Sequence, residues 1–438
     1  MAKPDDRGFS SYRACLDWLF ARHRFVMKPG LERVEWLLGA VGSPHEKFRI
    51  VHVGGTNGKG STSCMLASVL SEHDLRTGLY TSPHVVDFTE RIVIDGVRIT
   101  PERVVSLVER VRPHAEEVAA TFFEIATAVA ALYFAEEGVN AVVAEVGLGG
   151  RLDATNAFDS VISVITGIAV DHAEILGSDI AAIASEKAGI IRDSGLVVCG
   201  ATGDALSVIR GVAAARKADL VSVIDESAVE IVSISSNGST FNLTYGPVRY
   251  EGLTVAMLGR HQISNARTAI VALEELDGMG FLSLSEDSLR RGLAEACCMG
   301  RMQIIERRPT VIADVAHNPD GAEALMTTLP ETFDYERLIA VIGIMGDKDL
   351  SGFLSPFHDR ADLVILTRPA GERAAQLDVL SSIAEELELN YRVVPTPGAA
   401  IESALSSATE RDLVLVTGSH YTVGDVLTSL GVGQTLEA

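Results

Sequence analysis

Gly54-Gly55-Thr56-Asn57-Gly58-Lys59-Gly60-Ser61-Thr62 are residues whose types and spacing suit chemistry on a phosphate group. Glycines let a turn fold tightly, so that successive N–H groups converge on phosphate oxygens. A helix opening directly after the turn adds the positive end of its dipole. Lys59 can reach terminal phosphates, and Ser61 or Thr62 can support Mg²⁺. The segment departs from the common phosphate-loop pattern: Val53 stands where that pattern has Gly, and Gly60 separates Lys59 from Ser61. A Gly-rich turn without a ligand is the plain alternative, and Lys59 at the start of a helix argues against it.

Other candidates sit at the ends of apolar runs. Glu145 follows four apolar residues, a place from which a carboxylate can hold Mg²⁺ beside the loop or merely cap a helix. His172, next to Asp171, could ligate a metal, although a lone His is more often a hydrogen-bonded structural residue. Lys187 lies among small apolar neighbours at a helix end. It is either a solvated cation favouring the helix dipole or a partly buried amine of lowered pKa. Such an amine can take up CO₂ as a carbamate and become a metal-binding anion. Asp314, after a later strand, is suited to a ribose hydroxyl. Asp347-Lys348-Asp349 and Thr417-Gly418-Ser419-His420 lie at further strand ends, where ligands gather in open α/β sheets.

The elements that must position these groups alternate between short β-branched runs and helical stretches, the pattern of parallel α/β sheets. Residues 48–53 predict a buried strand running into the Gly-rich turn, and 61–72 a helix. Strands are expected at 140–146 and 160–168, and helices at 121–136 and 180–190. Residues 218–258, with turns at Asn237-Gly238 and Gly246-Pro247, predict a small antiparallel unit attached to the first domain. A helix is expected at 264–276. Cys297-Cys298-Met299-Gly300 reads as a hinge, and strands at 310–313, 338–343, 362–367, 391–394 and 412–417 begin a second series. The expected fold is α/β. A phosphate-loop ATPase domain over 1–298 carries a mostly parallel sheet and the small antiparallel unit. A C-terminal Rossmann-like α/β domain spans 299–438.

Length and composition bound the function. The 438 residues suit two or three domains of about 150 residues. The formal net charge of −22 argues against nucleic-acid or anionic membrane partners, so an anionic substrate needs local cations. The five cysteines form no C-x-x-C pair, which points to a reducing cytoplasm and away from a disulfide framework or zinc site. No signal peptide is expected from the first residues. The apolar stretch 118–135 carries Glu124 and predicts a buried core helix, not a membrane span.

Taken together, the segments resemble the folylpolyglutamate synthase and dihydrofolate synthase family of the muramyl-ligase superfamily. The resemblance rests on GTNGKGST from Gly55, TSPH at 81–84 with Glu90-Arg91-Ile92, TFFE at 121–124, EVGLGGRLDATN at 145–156, Asp171-His172 and SEKAGI at 185–190. It continues through HQISNA at 261–266, GRM at 300–302, DVAHNPDGA at 314–322, GDKD at 346–349 and TGSHY at 417–421. It spans about residues 30 to 425 in the family's order. Two positions depart: Met299 stands where Pro often precedes Gly-Arg, and His420 where relatives often carry an apolar residue.

The resemblance implies roles. Asn57, Gly58, Lys59, Gly60, Ser61 and Thr62 would hold ATP phosphates, and Asn265, Arg301 and Asp314 would bind adenosine and phosphate. Ser82 and Glu145 would ligate one Mg²⁺; Glu145, His172 and Lys187, carbamylated in relatives, would hold a second. Thr121, Phe122, Phe123, Glu124, Leu152, Asp153 and Ala154 would contact the pterin-bearing substrate, and His317 and Ser419 the incoming glutamate. The expected enzyme is a cytoplasmic monomer joining L-glutamate to dihydropteroate or a folate through an acyl phosphate. His317 is by position the candidate base. A muramyl-type peptide ligase and a non-catalytic phosphate-loop switch are the rival readings. The first normally adds an N-terminal domain for which residues before the loop leave no room, and the second gives no reason for GLGGRLDATN.

Overall fold

The computed structural model describes residues 8–22, 30–73, 75–171, 177 and 179–432. His172 lies outside the described residues. Among them the chain builds three sheets of eight, three and six strands.

The first sheet holds β1 (Arg49–Gly54), β2 (Thr77–Tyr80), β3 (Ile92–Ile94), β4 (Val97–Arg98), β5 (Ala141–Glu145), β6 (Ile162–Ile165), β7 (Leu196–Cys199) and β8 (Asp219–Ser222). Their spatial order is β4-β3-β2-β5-β1-β6-β7-β8. Strands β2 to β8 through the centre pair in parallel, while β3 and β4 add antiparallel at one edge. β1 is central and buried on both faces, which is why its residues read as one apolar run. Val51 and Val53 pack toward the helices Lys59–Ser71 and Arg260–Gly278. Ile50, on the opposite face, packs with the helix Phe122–Glu136. That helix is the apolar stretch read as a core helix: eleven of its residues are buried, and Glu124 closes a capping box with Thr121. No helix among the described residues is long and apolar enough to cross a membrane.

The antiparallel unit is three-stranded: β9 (Ser227–Ser235), β10 (Gly238–Tyr245) and β11 (Val248–Val255). The expected start at 218 is corrected here, because residues 219–222 pair with β7 and extend the large sheet. Four residues, Asp-Leu-Val-Ser, are too few to carry a period by which to choose between the two sheets.

The last sheet begins after a linker between Glu295 and Gln303. It contains β12 (Gln303–Arg307), β13 (Thr310–Ala313), β14 (Leu338–Ile342), β15 (Leu363–Leu366), β16 (Tyr391–Val393) and β17 (Leu413–Thr417), in the order β12-β13-β17-β14-β15-β16. Only β12 runs antiparallel, an edge strand missed in the sequence because its outer half is exposed and charged. The five expected strands of this series are all present.

Candidate active site between the two large sheets

The phosphate-loop helix starts at Lys59, two residues earlier than its sequence pattern suggests, with Gly58 as its N-cap. Gly58 adopts φ of 87°, and a Cβ there would run into the Asn265 side chain. Only glycine meets both demands. Thr121, Asp179, Asn318 and Ser419 each cap a helix with a side chain, whereas Gly58 has none to offer. The first-turn N–H groups after Gly58 therefore open onto a cavity of about 320 Å³. That size suits a small-molecule site.

Both large sheets line the cavity. Its walls include Asn57, Gly58, Lys59, Gly60, Ser61, Ser82, Glu145, Lys187, Asn265, Arg301, Asp314 and His317. Among the described residues, the fold thus gathers the expected nucleotide and metal residues except Thr62, which is wholly buried in the helix. A second cavity of about 510 Å³ adjoins it, sharing Gly60, Ser82, Glu145, Arg301 and His420.

The buried charges are held by few partners. Lys59 Nζ donates to the Thr56 carbonyl at 3.1 Å. Burial lowers its pKa, against the pull of the Glu145 and Asp171 carboxylates. Glu145 accepts the Ser82 N–H at 3.0 Å, and burial raises its pKa despite nearby Lys59. Ser82 Oγ is buried with no hydrogen-bond partner. A buried carboxylate beside an orphaned hydroxyl oxygen fits a hard divalent cation, which prefers oxygen ligands. Lys187 is buried, not solvated, and its Nζ donates to the Gly55 carbonyl at 2.7 Å. Burial, followed by the Lys59 charge, brings its pKa down to about 7.

Other expected residues serve the scaffold. Both Asp314 oxygens accept backbone N–H groups, from Ala316 and Met302, each at 2.8 Å. Ser419 caps the helix His420–Ser429 and donates to the Gly343 carbonyl. Thr121, Phe122, Phe123, Glu124, Leu152, Asp153, Ala154 and Ser419 do not line the 320 Å³ cavity. Glu124 pairs with Arg33 at 2.9 Å. Phe123 stacks on Tyr80 with ring centroids 6.0 Å apart, and a Cβ on Gly147 would lie 2.5 Å from its ring. This group reaches the cavity indirectly, because Gly147 and Leu148 do line it.

Sequence reasoning missed the contacts that join the two halves. Asp171 Oδ1 meets Lys348 Nζ at 2.5 Å and Asp171 Oδ2 meets His317 Nε2 at 3.1 Å. Asn318 Nδ2 donates to Asn57 Oδ1 at 3.0 Å. Asp171 and Lys348 are 177 positions apart, so no local pattern could announce the pair. His317 Nδ1 faces the Val315 carbonyl at 2.9 Å, so both ring nitrogens are engaged.

An uncapped phosphate-loop helix, a buried carboxylate and a second α/β sheet closing over both define a two-part nucleotide-handling enzyme. The chain belongs to the Mur ligase family, in its folylpolyglutamate synthase/dihydrofolate synthase branch. The model of the Mur ligase middle domain matches residues 53–273, and that of the Mur ligase glutamate ligase domain matches 300–420. A dihydrofolate synthase/folylpolyglutamate synthase of Bacillus subtilis is 34% identical over 426 residues, covering 95% of this chain and 99% of the relative. The structure is similar to Escherichia coli FolC in complex with DHPP and ADP, with a TM-score of 0.88 and 32% identity, covering 96% and 98% of the two chains. It is also similar to the bifunctional folylpolyglutamate synthase/dihydrofolate synthase of Yersinia pestis complexed with AMPPNP and a Mn ion, with a TM-score of 0.86 and 33% identity, covering 97% and 98%. The chain is accordingly a ligase that forms C–N bonds.

Proposed function

We propose that this chain joins L-glutamate to the carboxylate of dihydropteroate, and of tetrahydrofolate or its polyglutamates, with ATP cleaved to ADP and phosphate. The observation that carries the reading is the cavity that uncapped helix N–H groups, Lys59 and Glu145 line together with His317, which follows β13 of the six-stranded sheet.

A carboxylate is a poor acyl donor because its leaving group would be oxide. Transfer of the γ-phosphoryl group to it gives an acyl phosphate, from which phosphate leaves. The amine of glutamate then forms the amide and loses a proton. Gly58, Lys59, Gly60 and Ser61 hold the phosphates through backbone N–H groups and the Lys59 ammonium. Asn57 and Thr62 set the loop and its helix, and Asn265, Arg301 and Asp314 frame the nucleotide. Thr121, Phe122, Phe123, Glu124, Leu152, Asp153 and Ala154 build the pterin side, with Phe123 offering a ring face. His317 and Ser419 stand on the glutamate side. The Val315 carbonyl and the Asp171 carboxylate, one at each ring nitrogen, fix the orientation of His317 there.

Ser82 and Glu145 would hold one Mg²⁺, and Glu145, His172 and Lys187 a second. Bound there, divalent cations would supply charge neutralisation for the transferring phosphoryl group. Lys187 at about pKa 7 has the free amine needed to take up CO₂, forming an N–C bond and releasing one proton. The enzyme is proposed to act in the cytoplasm as a monomer, without nucleic-acid or membrane partners.

The test is ADP release by the purified protein with glutamate, offering dihydropteroate and tetrahydrofolate separately. Release is expected with each and is lost in Lys59→Ala. Nucleotide binding without pterin-dependent release would support the switch reading instead.

A further inference from the structure

We propose that His52 is a positioning residue that ties the 147–156 loop, and with it the pterin-side wall, to the strand carrying the phosphate loop. The inference rests on the pterin role given to that loop above.

His52 lies in the middle of β1, two residues before its end at Gly54, and is wholly buried. A strand presents alternate residues to opposite faces, so His52 shares the face of Ile50. Its Nε2 stands 2.8 Å from Thr155 Oγ1. The Thr155 hydroxyl stands 2.6 Å from Asp153 Oδ1, which also accepts the Thr155 N–H at 3.0 Å. The other oxygen, Oδ2, accepts the Leu148 N–H at 2.8 Å.

The direction of this chain follows from counting protons. A carboxylate accepts, so the single Thr155 hydroxyl proton is committed to Asp153. The Thr155 oxygen then accepts, and Nε2 of His52 carries the hydrogen. Nδ1 is buried with no partner. Protonating it would place a bare donor and a charge in the core, and burial accordingly brings the His52 pKa down to about 3. His52 is therefore a fixed neutral donor.

The chain's far end is the cavity wall. Leu148, held by Asp153, and Gly147 beside it both line the cavity, and Phe123 rests on Gly147. Displacing Asp153 moves that wall while leaving Gly58 to Ser61 in place. A buried imidazole on β1 thus couples two binding segments about a hundred positions apart (His52 and Thr155 differ by 103).

Three single variants and one double variant test this. His52→Leu and Thr155→Val delete the bond, and His52→Gln keeps a donor. The measurements are separate dissociation constants for AMPPNP and dihydropteroate, kcat and KM, and amide exchange of residues 147–156. His52→Leu and Thr155→Val are expected to weaken dihydropteroate binding about tenfold, the loss of one buried hydrogen bond, with AMPPNP binding kept within about twofold. The double variant should be no weaker than either single one. His52→Gln should restore most of the affinity, and amide exchange should quicken in His52→Leu and return in His52→Gln. Parallel loss of both ligands, no loss of either, additive effects or failure of His52→Gln to rescue overturns the proposal. Failure of the wild-type protein to bind dihydropteroate overturns instead the pterin reading, and the exchange data then still decide whether His52 holds the loop.

Discussion

Burial decides the ionisation of the side chains that matter most. Lys187 has a folded pKa of about 7, below the 10.5 of a free lysine, so its neutral fraction grows as pH rises through 7. If that amine takes up CO₂, turnover in bicarbonate-containing buffer rises over about pH 6 to 8. Lys187→Ala should lower turnover, lose that rise and regain part of its rate with small carboxylic acids; an unchanged rate refutes the carbamate. His52 gives a second pH effect. Its folded pKa of about 3 lies below the unfolded 6.5, so between these values the unfolded chain binds more protons. Stability therefore rises with pH in that window and is lost on acidification. By pH 4 the wild-type protein should lose on the order of 3 kcal/mol from this residue. Urea midpoints between pH 7 and 4 should fall less steeply in His52→Gln.

Segments around the site are shaped by what their ends lack. The helix Lys59–Ser71 gives up a side-chain cap, so its free N–H groups are available to an anion. Gly58→Ala would place a Cβ in a left-handed conformation, costing roughly 1–2 kcal/mol, and against Asn265. AMPPNP affinity should drop, with the melting temperature falling by only a few degrees. The opposite choice appears at the helix Phe122–Glu136, where Thr121 and Glu124 satisfy each other's backbone groups. Thr121→Ala should cost about 1 kcal/mol of stability, read from denaturant unfolding, and leave AMPPNP affinity unchanged.

The two large sheets meet over the cavity through a buried charge pair. Asp171 and Lys348 side chains are 8% and 7% exposed, so removing Asp171 takes this carboxylate from an ammonium held in a dry place. Breaking such a pair is worth about 3–5 kcal/mol, enough to loosen closure. Water would then reach the acyl phosphate proposed above. Asp171→Ala is expected to raise the ratio of ADP released to amide formed above that of the wild-type protein. Equal ratios would show that closure does not depend on this contact.

The strand runs and the Gly-rich turn were legible in the chain because they are local. β1, β5 and β17 are apolar runs buried on both faces. The resemblance, spread over almost the whole chain, supplied the ligase reading. Pairings across long separations were not legible: β8 joining the large sheet, Asp171 meeting Lys348 and His317, and His52 reaching Asp153 through Thr155. Periodicity and capping report a residue's own neighbours in sequence. Which buried charge faces which, and how far each pKa moves, depends on burial and distance, and both exist only once the sheets have packed.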